Sequence, residues 1–251
     1  MKKIYNFINK YKKEILFFII IIILLIVIIY FYYRENFISE KFTGSTPLTN
    51  STLKTAISAW MDSTTRENTV LVYGDIALWD VSQVTNMENM FEYNNSFNED
   101  ISRWNVSNVT NMNRMFKNAR AFTSDIGEWN VGNVTTMQEM FLNTDNFNID
   151  IGEWNVGNVT NMQDMFFQSN FNSDISDWNT SSVTNMTSMF YKARSFNQDI
   201  SKWDVSKVTD MINMFNYANI SEINNNNIYR KWITYNNINV NILNGTGLTQ
   251  P

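Results

Sequence analysis

The chain has 251 residues but no histidine, no cysteine, only two prolines and eight glycines, and 17% of its residues are charged. Each shortage excludes something. Without histidine there is no Ser-His-Asp triad, Cys-His dyad or imidazole metal ligand. Without cysteine there is no disulfide, zinc knuckle, iron–sulfur cluster or thiol nucleophile. Any catalysis would rest on carboxylates, lysine, tyrosine or hydroxyls. No Walker loop, G-x-G-x-x-G or nucleophile elbow occurs. In contrast, 40 residues are asparagine, which fits both an AT-rich coding bias and recurring turns.

One long apolar run is present. Ile15 to Tyr33 is an unbroken stretch of 19 apolar and aromatic residues. As a helix it would measure roughly 28 Å, about one hydrocarbon core. It ends in Tyr30, Phe31, Tyr32, Tyr33 and Arg34, a poor signal-cleavage context and a good interfacial belt. Lys2, Lys3, Lys10, Lys12 and Lys13 precede it, with Glu14 the one acid. The positive-inside rule then places the N-terminus in the cytoplasm and the remainder outside, as a single-pass membrane protein of a cell or virion surface. With those six charges set aside, 14 basic and 23 acidic residues remain. Such a balance argues against a nucleic-acid partner.

The middle of the chain repeats. Trp79, Trp104, Trp129, Trp154, Trp178 and Trp203 are 25, 25, 25, 24 and 25 residues apart. Eleven residues after each comes a Met-Phe pair, at Met90, Met115, Met140, Met165, Met189 and Met214. The missing residue falls after Phe166, in FFQSNFNSDISDW. The unit reads D-I-x-x-W-[ND]-x-x-x-V-T-x-M-x-x-M-F, a variable stretch, then F-[NT]-x-D-I. About eight apolar residues per unit are too few for a core, so neighbouring units must stack. Ile-x-x-Trp-x-Val suits a short strand, and M-x-x-M-F suits one helical turn. Val-x-x-Val-x-x-Met-x-x-Met, with a period near three, leaves a longer helical piece open. The expected fold is an α/β repeat solenoid of about six 25-residue coils with one N-terminal transmembrane helix. The expected divisions are 1–14 basic tail, 15–33 transmembrane helix, 34–50 tether, 51–75 N-terminal cap, 76–215 solenoid, 216–240 C-terminal cap and 241–251 fraying tail.

The strings WDVSQVTNMENMF, WNVSNVTNMNRMF and WDVSKVTDMINMF resemble the BspA-like, DUF285-type surface repeats, relatives of leucine-rich repeats. The resemblance covers about residues 51–215. It implies a leucine-rich-repeat-like solenoid and a surface-displayed protein; some members are implicated in adhesion. This sequence departs from the pattern in its short array and in its N-terminal apolar run, which stands in place of a lipoprotein cysteine.

Several columns invite chemistry. Asp75, Asp100, Asp125, Asp150, Asp174 and Asp199 each lie four before a repeat Trp and could form a calcium ladder. The unit supplies one acidic column and little glycine, so side-chain caps on turns are the preferred reading, with no metal and no cofactor. The Trp column could stack on sugars, but its phase with Val and Ile favours core packing. The Met columns read as gap-filling core. Thr85 and its equivalents, with Asn86 and its equivalents, suit hydrogen-bonded ladders. N-x-[ST] triplets at Asn50, Asn108, Asn133, Asn158 and Asn244 could accept glycans. The column Glu88, Asn113, Gln138, Gln163, Thr187 and Ile212 varies and is the expected binding face. The function this implies is non-catalytic recognition or adhesion toward an extracellular protein or glycan. The alternatives are a structural surface coat and a membrane-tethered glycan-active enzyme.

Overall fold

The structure, a computed structural model, describes residues 16–30, 47–236 and 240–251. The chain divides into two compact units, Met1–Ser45 and Thr46–Pro251.

In the first unit residues 16–30 are helical (α1). Its described part, 15 residues or about 22 Å, is shorter than a hydrocarbon core of ~30 Å. Among the described residues no helix is long and apolar enough to cross a membrane. The expected transmembrane helix, and with it the single-pass localisation and the membrane as a partner through residues 15–33, is therefore corrected. Residues 15 and 31–33 of that expectation lie outside the described residues, as do the basic tail 1–14 and positions 34–46 of the tether.

The second unit begins with Leu48, which is buried and donates its N–H to the Asp80 carbonyl at 2.7 Å. Thr49 is the N-cap of α2 (Asn50–Met61). Thr49 and Thr52 form a reciprocal capping box. Helix α2 turns Leu53, Ala56, Ile57 and Trp60 into the core. Its spacing of three and four gives one apolar face. Helix α3 (Arg66–Tyr73) follows and ends at Gly74. A 3-10 turn at Ile76–Leu78 leads into the first repeat.

The repeats stack as six layers built from turns. Within a layer Trp104 donates its N–H to Ile101, Val109 to Val106, Met115 to Met112, Ala119 to Phe116 and Phe122 to Ala119, at 2.9–3.2 Å. Each bond closes an i to i+3 turn, which brings its first and last residues together. That is the physical meaning of an apolar residue at every third position. Between layers, Met87, Asn89, Phe91 and Tyr93 donate N–H to the carbonyls of Asn111, Asn113, Met115 and Lys117 at 2.8–3.0 Å. Backbone N–H groups thus alternate between closing a turn and reaching the next layer, so no run of consecutive ladder pairs develops. Among the described residues the β structure is a chain of single parallel bridges through Asn86, Asn111, Thr136, Asn161, Asn185 and Asp210. The expected α/β, leucine-rich-repeat-like solenoid is corrected accordingly: the layers hold turns where strands and helical turns were expected.

The core is columnar. Trp, Val, Met and Phe of every layer are buried. The Phe rings following Met stack from layer to layer at 5.4–5.7 Å through Phe91, Phe116, Phe141, Phe166, Phe190 and Phe215. The first five also stack on their own layer's second Phe, for example Phe141 on Phe147 at 3.9 Å, and Phe215 meets Trp232 instead.

Both ends are covered. The Asn50 side-chain oxygen accepts the N–H groups of Thr85 and Asn86 at 2.9 and 3.1 Å, as a preceding layer would. At the far end α4 (Glu222–Asn236) buries Ile228 and Trp232, and α5 (Val240–Leu243) follows. The closing segment, expected to fray, packs onto layer six. Its Gly245 and Thr246 carbonyls accept the N–H groups of Asn213 and Phe215, and Thr246 is fully buried.

Candidate functional site

The residue columns singled out from the sequence fall in three environments. Asp75, Asp100, Asp125, Asp150, Asp174 and Asp199 each use Oδ1 to accept the N–H two residues on, at 2.9–3.1 Å. Hydrogen bonds from Ser102 hold the Asp100 carboxyl below its usual range, and those from Ser176 do the same for Asp174. Among the described residues no group of three or more carboxylates could hold a metal ion.

The tryptophans are core. Trp104, Trp129, Trp154, Trp178 and Trp203 donate Nε1–H to the Ile carbonyl of the layer before, at 2.8–3.2 Å. Trp79 donates to Gly74 instead. Met90, Met115, Met140, Met165, Met189 and Met214 are buried in the same interior.

The variable column beginning at Glu88 is partly occupied with holding layers together. Its carbonyl oxygens accept from side chains of the next layer: Asn161 donates to Gln138 at 3.4 Å and Asn185 to Gln163 at 3.3 Å. The expected pairing of stacked Asn amides with each other gives way to these diagonal bonds.

Greater chemical variety lies a few residues further on. Asn89, Arg114, Glu139, Asp164, Ser188 and Asn213 form one column, and Tyr93, Asn118, Asn143, Gln168, Lys192 and Tyr217 another; all have φ of 53–63°. The left-handed backbone at these positions re-aims the chain between successive turns. Glu92, Lys117, Leu142, Phe167, Tyr191 and Asn216 stand between the two columns.

This face carries a charged and an aromatic region. The Glu139 carboxylate accepts from Arg114 Nε and Nη2 at 2.9 and 2.7 Å, from Lys117 Nζ at 2.5 Å and from Gln138 Nε2 at 3.1 Å. Burial pushes Glu139 up, but these cationic donors outweigh it and hold the carboxyl below its usual range. One layer on, burial and then the Glu139 charge push Asp164 up, against a hydrogen bond from Gln163. Phe167 stacks on Tyr191 at 4.8 Å, Tyr191 meets Tyr217 edge-on at 5.5 Å, and Lys192 Nζ lies 5.2 Å above the Tyr191 ring. Tyr217 is 71% exposed, so this aromatic cluster reaches solvent. The sequence held a signal for it: aromatics in columns where other repeats carry polar residues.

The family whose signature is described as "Mycoplasma protein of unknown function, DUF285" matches residues 59–169 and, again, 150–244. The chain belongs to the DUF285 family. No curated protein and no solved structure matches it. The two DUF285 matches together contain all six layers. Within this DUF285 chain the repeated apolar positions point inward, while the repeated Thr column lies exposed at the surface.

Proposed function

We propose that this DUF285 protein is a non-catalytic recognition module whose variable face binds a protein or glycan ligand. The observation that carries this is the division between repeated core columns and a partly exposed column, Glu92, Lys117, Leu142, Phe167, Tyr191 and Asn216, that changes at every layer. A scaffold that repeats its interior and varies its exterior keeps the backbone fixed while altering what a partner meets. Tyr191 and Tyr217 suit an interface, since aromatic side chains supply contact area at low entropy cost. The resemblance to BspA-like repeats, some of them implicated in adhesion, supports the same reading.

The test uses the full chain on a glycan array and against immobilised host-cell proteins. Saturable binding that weakens in Tyr191→Ala and Tyr217→Ala, at unchanged melting temperature, is the expected result. Self-association with no saturable ligand would overturn it in favour of a coat-like structural role.

A further inference from the structure

The array has one irregularity. Between the second left-handed residue and the following Phe, layers one, two, three and five have three residues; layer four has two, Ser169 and Asn170. The first corner residue is buried in full and short corners alike, at Ala119, Thr144, Ser169 and Ala193, so the shortening removes one of the two outer residues. Ser169 is buried with its hydroxyl on the Phe166 carbonyl, and Asn170 Nδ2 reaches back to the Asp145 carbonyl at 2.9 Å. Layers three and five keep their full corners on either side, and a cleft of about 280 Å³ opens between them. That is near the lower end of small-ligand sites.

The walls of the cleft have a definite chemistry. Lys192 and Arg194 form one lip, Asp145 the other, with Asn143, Gln168 and Asn170 between. Arg194 is exposed, and its guanidinium is free to take a carboxylate through two parallel N–H bonds. Asp145 lies 3.8 Å from Arg120 Nε and offers an acceptor for hydroxyls. The amides offer both donors and acceptors. A phosphate dianion would meet the Asp145 charge across the cleft. A hydroxyl-rich monoanion would not meet that conflict with its anionic end on Lys192 and Arg194.

We infer that this cleft binds the acidic sugar of a glycan, a carboxylate-bearing saccharide. The inference rests on the recognition reading above and names the ligand class. Its test is calorimetric titration of the full chain with glucuronic acid and N-acetylneuraminic acid, with glucose and inorganic phosphate as comparisons. The acidic sugars should bind and glucose and phosphate should not. Arg194→Ala should weaken binding roughly tenfold or more. Inserting one glycine between Ser169 and Asn170 restores the three-residue corner and should abolish binding while leaving the melting temperature unchanged. Phosphate binding as tightly as the sugars, or an insertion variant that is folded and still binds them, would overturn the assignment. Binding of a neutral glycan or protein to the face, insensitive to both changes, would overturn the cleft alone and leave recognition standing. A chain that binds nothing would overturn both.

Discussion

Glu139→Gln probes the charged region directly. The Glu139 side chain is 10% exposed and is held by Arg114 and Lys117, whose side chains are 39% and 18% exposed. Glutamine keeps the shape and one acceptor but leaves Arg114 without its anion and Lys117 with Glu92 alone, at 3.8 Å. Removing one partner from a fully buried ion pair costs about 3–5 kcal/mol, and an exposed pair contributes about 0–1 kcal/mol. With one partner exposed and two shielded, about 2 kcal/mol is expected at pH 7. The sign with pH follows from the lowered carboxyl. Its stabilisation is fully present above the unfolded carboxylate value of about 4.3 and is lost as pH falls through the lower folded value. Asp164 runs the opposite way: its raised carboxyl favours folding at low pH, and that contribution is lost as pH rises through the raised value. Removing the Glu139 charge relieves Asp164 slightly, so the deficit is a little smaller than the ion pair alone implies. Urea denaturation of both proteins at pH 7 and pH 3 measures it. The gap between the two proteins should be smaller at pH 3 than at pH 7. An equal deficit at both values, or one below about 0.5 kcal/mol at pH 7, would refute the reasoning.

Other consequences are as direct. Phe141→Ala removes a ring stacked on Phe147 at 3.9 Å and flanked by Phe116 and Phe166 at 5.7 Å; urea unfolding should show a loss of about 3–5 kcal/mol. Asn50→Ala strips the acceptor from the Thr85 and Asn86 N–H groups and should cost about 1–2 kcal/mol, with faster amide exchange in layer one. At Gly247, φ is +93° and an added Cβ would sit 2.8 Å from the Asn216 nitrogen. Gly247→Val should therefore detach the closing segment and speed exchange at Asn213 and Phe215, leaving layers one to three protected. Calcium should leave the melting temperature unmoved relative to EGTA, because one oxygen of each column aspartate is committed to its own turn; a rise with calcium would revive the ladder.

Some of this was legible beforehand, for physical reasons. Trp and Met-Phe spacing reveals stacked units because a repeated core needs the same volume at each level. The cap ahead of the repeats was legible as a division at 51–75, and the three- and four-residue spacing of Leu53, Ala56, Ile57 and Trp60 is what makes its first helix one-faced. Strands were expected from Val and Ile, whose β preference reflects a half-buried pleated surface; here the inter-layer bonds require a turn every third residue, and that overrides it. The left-handed positions gave only a broken signal: Asn89, Asn118, Asn143 and Asn213 suit them, but Arg114, Glu139, Gln168 and Tyr217 stand in the same columns. The closing segment was misread because its polar composition hid a pair of left-handed glycines, Gly245 and Gly247. A 19-residue apolar run reads as a membrane span by length alone, and among the described residues its helix is shorter.

The position of the deletion shows which part of the layer is fixed. Between layers three and four, Met137, Glu139, Phe141 and Asn143 donate N–H to residues 24 further on. Between layers four and five, Met162, Asp164, Phe166 and Gln168 donate to residues 23 further on, yet to the same columns: Asn185, Thr187, Met189 and Tyr191. The numerical offset slips by one and the register does not. A deletion inside the turn segment would shift these bonds and turn core residues outward, whereas the corner bonds little and absorbs the loss. Sequence change is thus tolerated at the corner and on the left-handed columns, and resisted where Trp, Val, Met and Phe interlock. A ligand site that differs between members of such a family has to arise on the tolerant side, which is where the aromatic cluster and the cleft both lie.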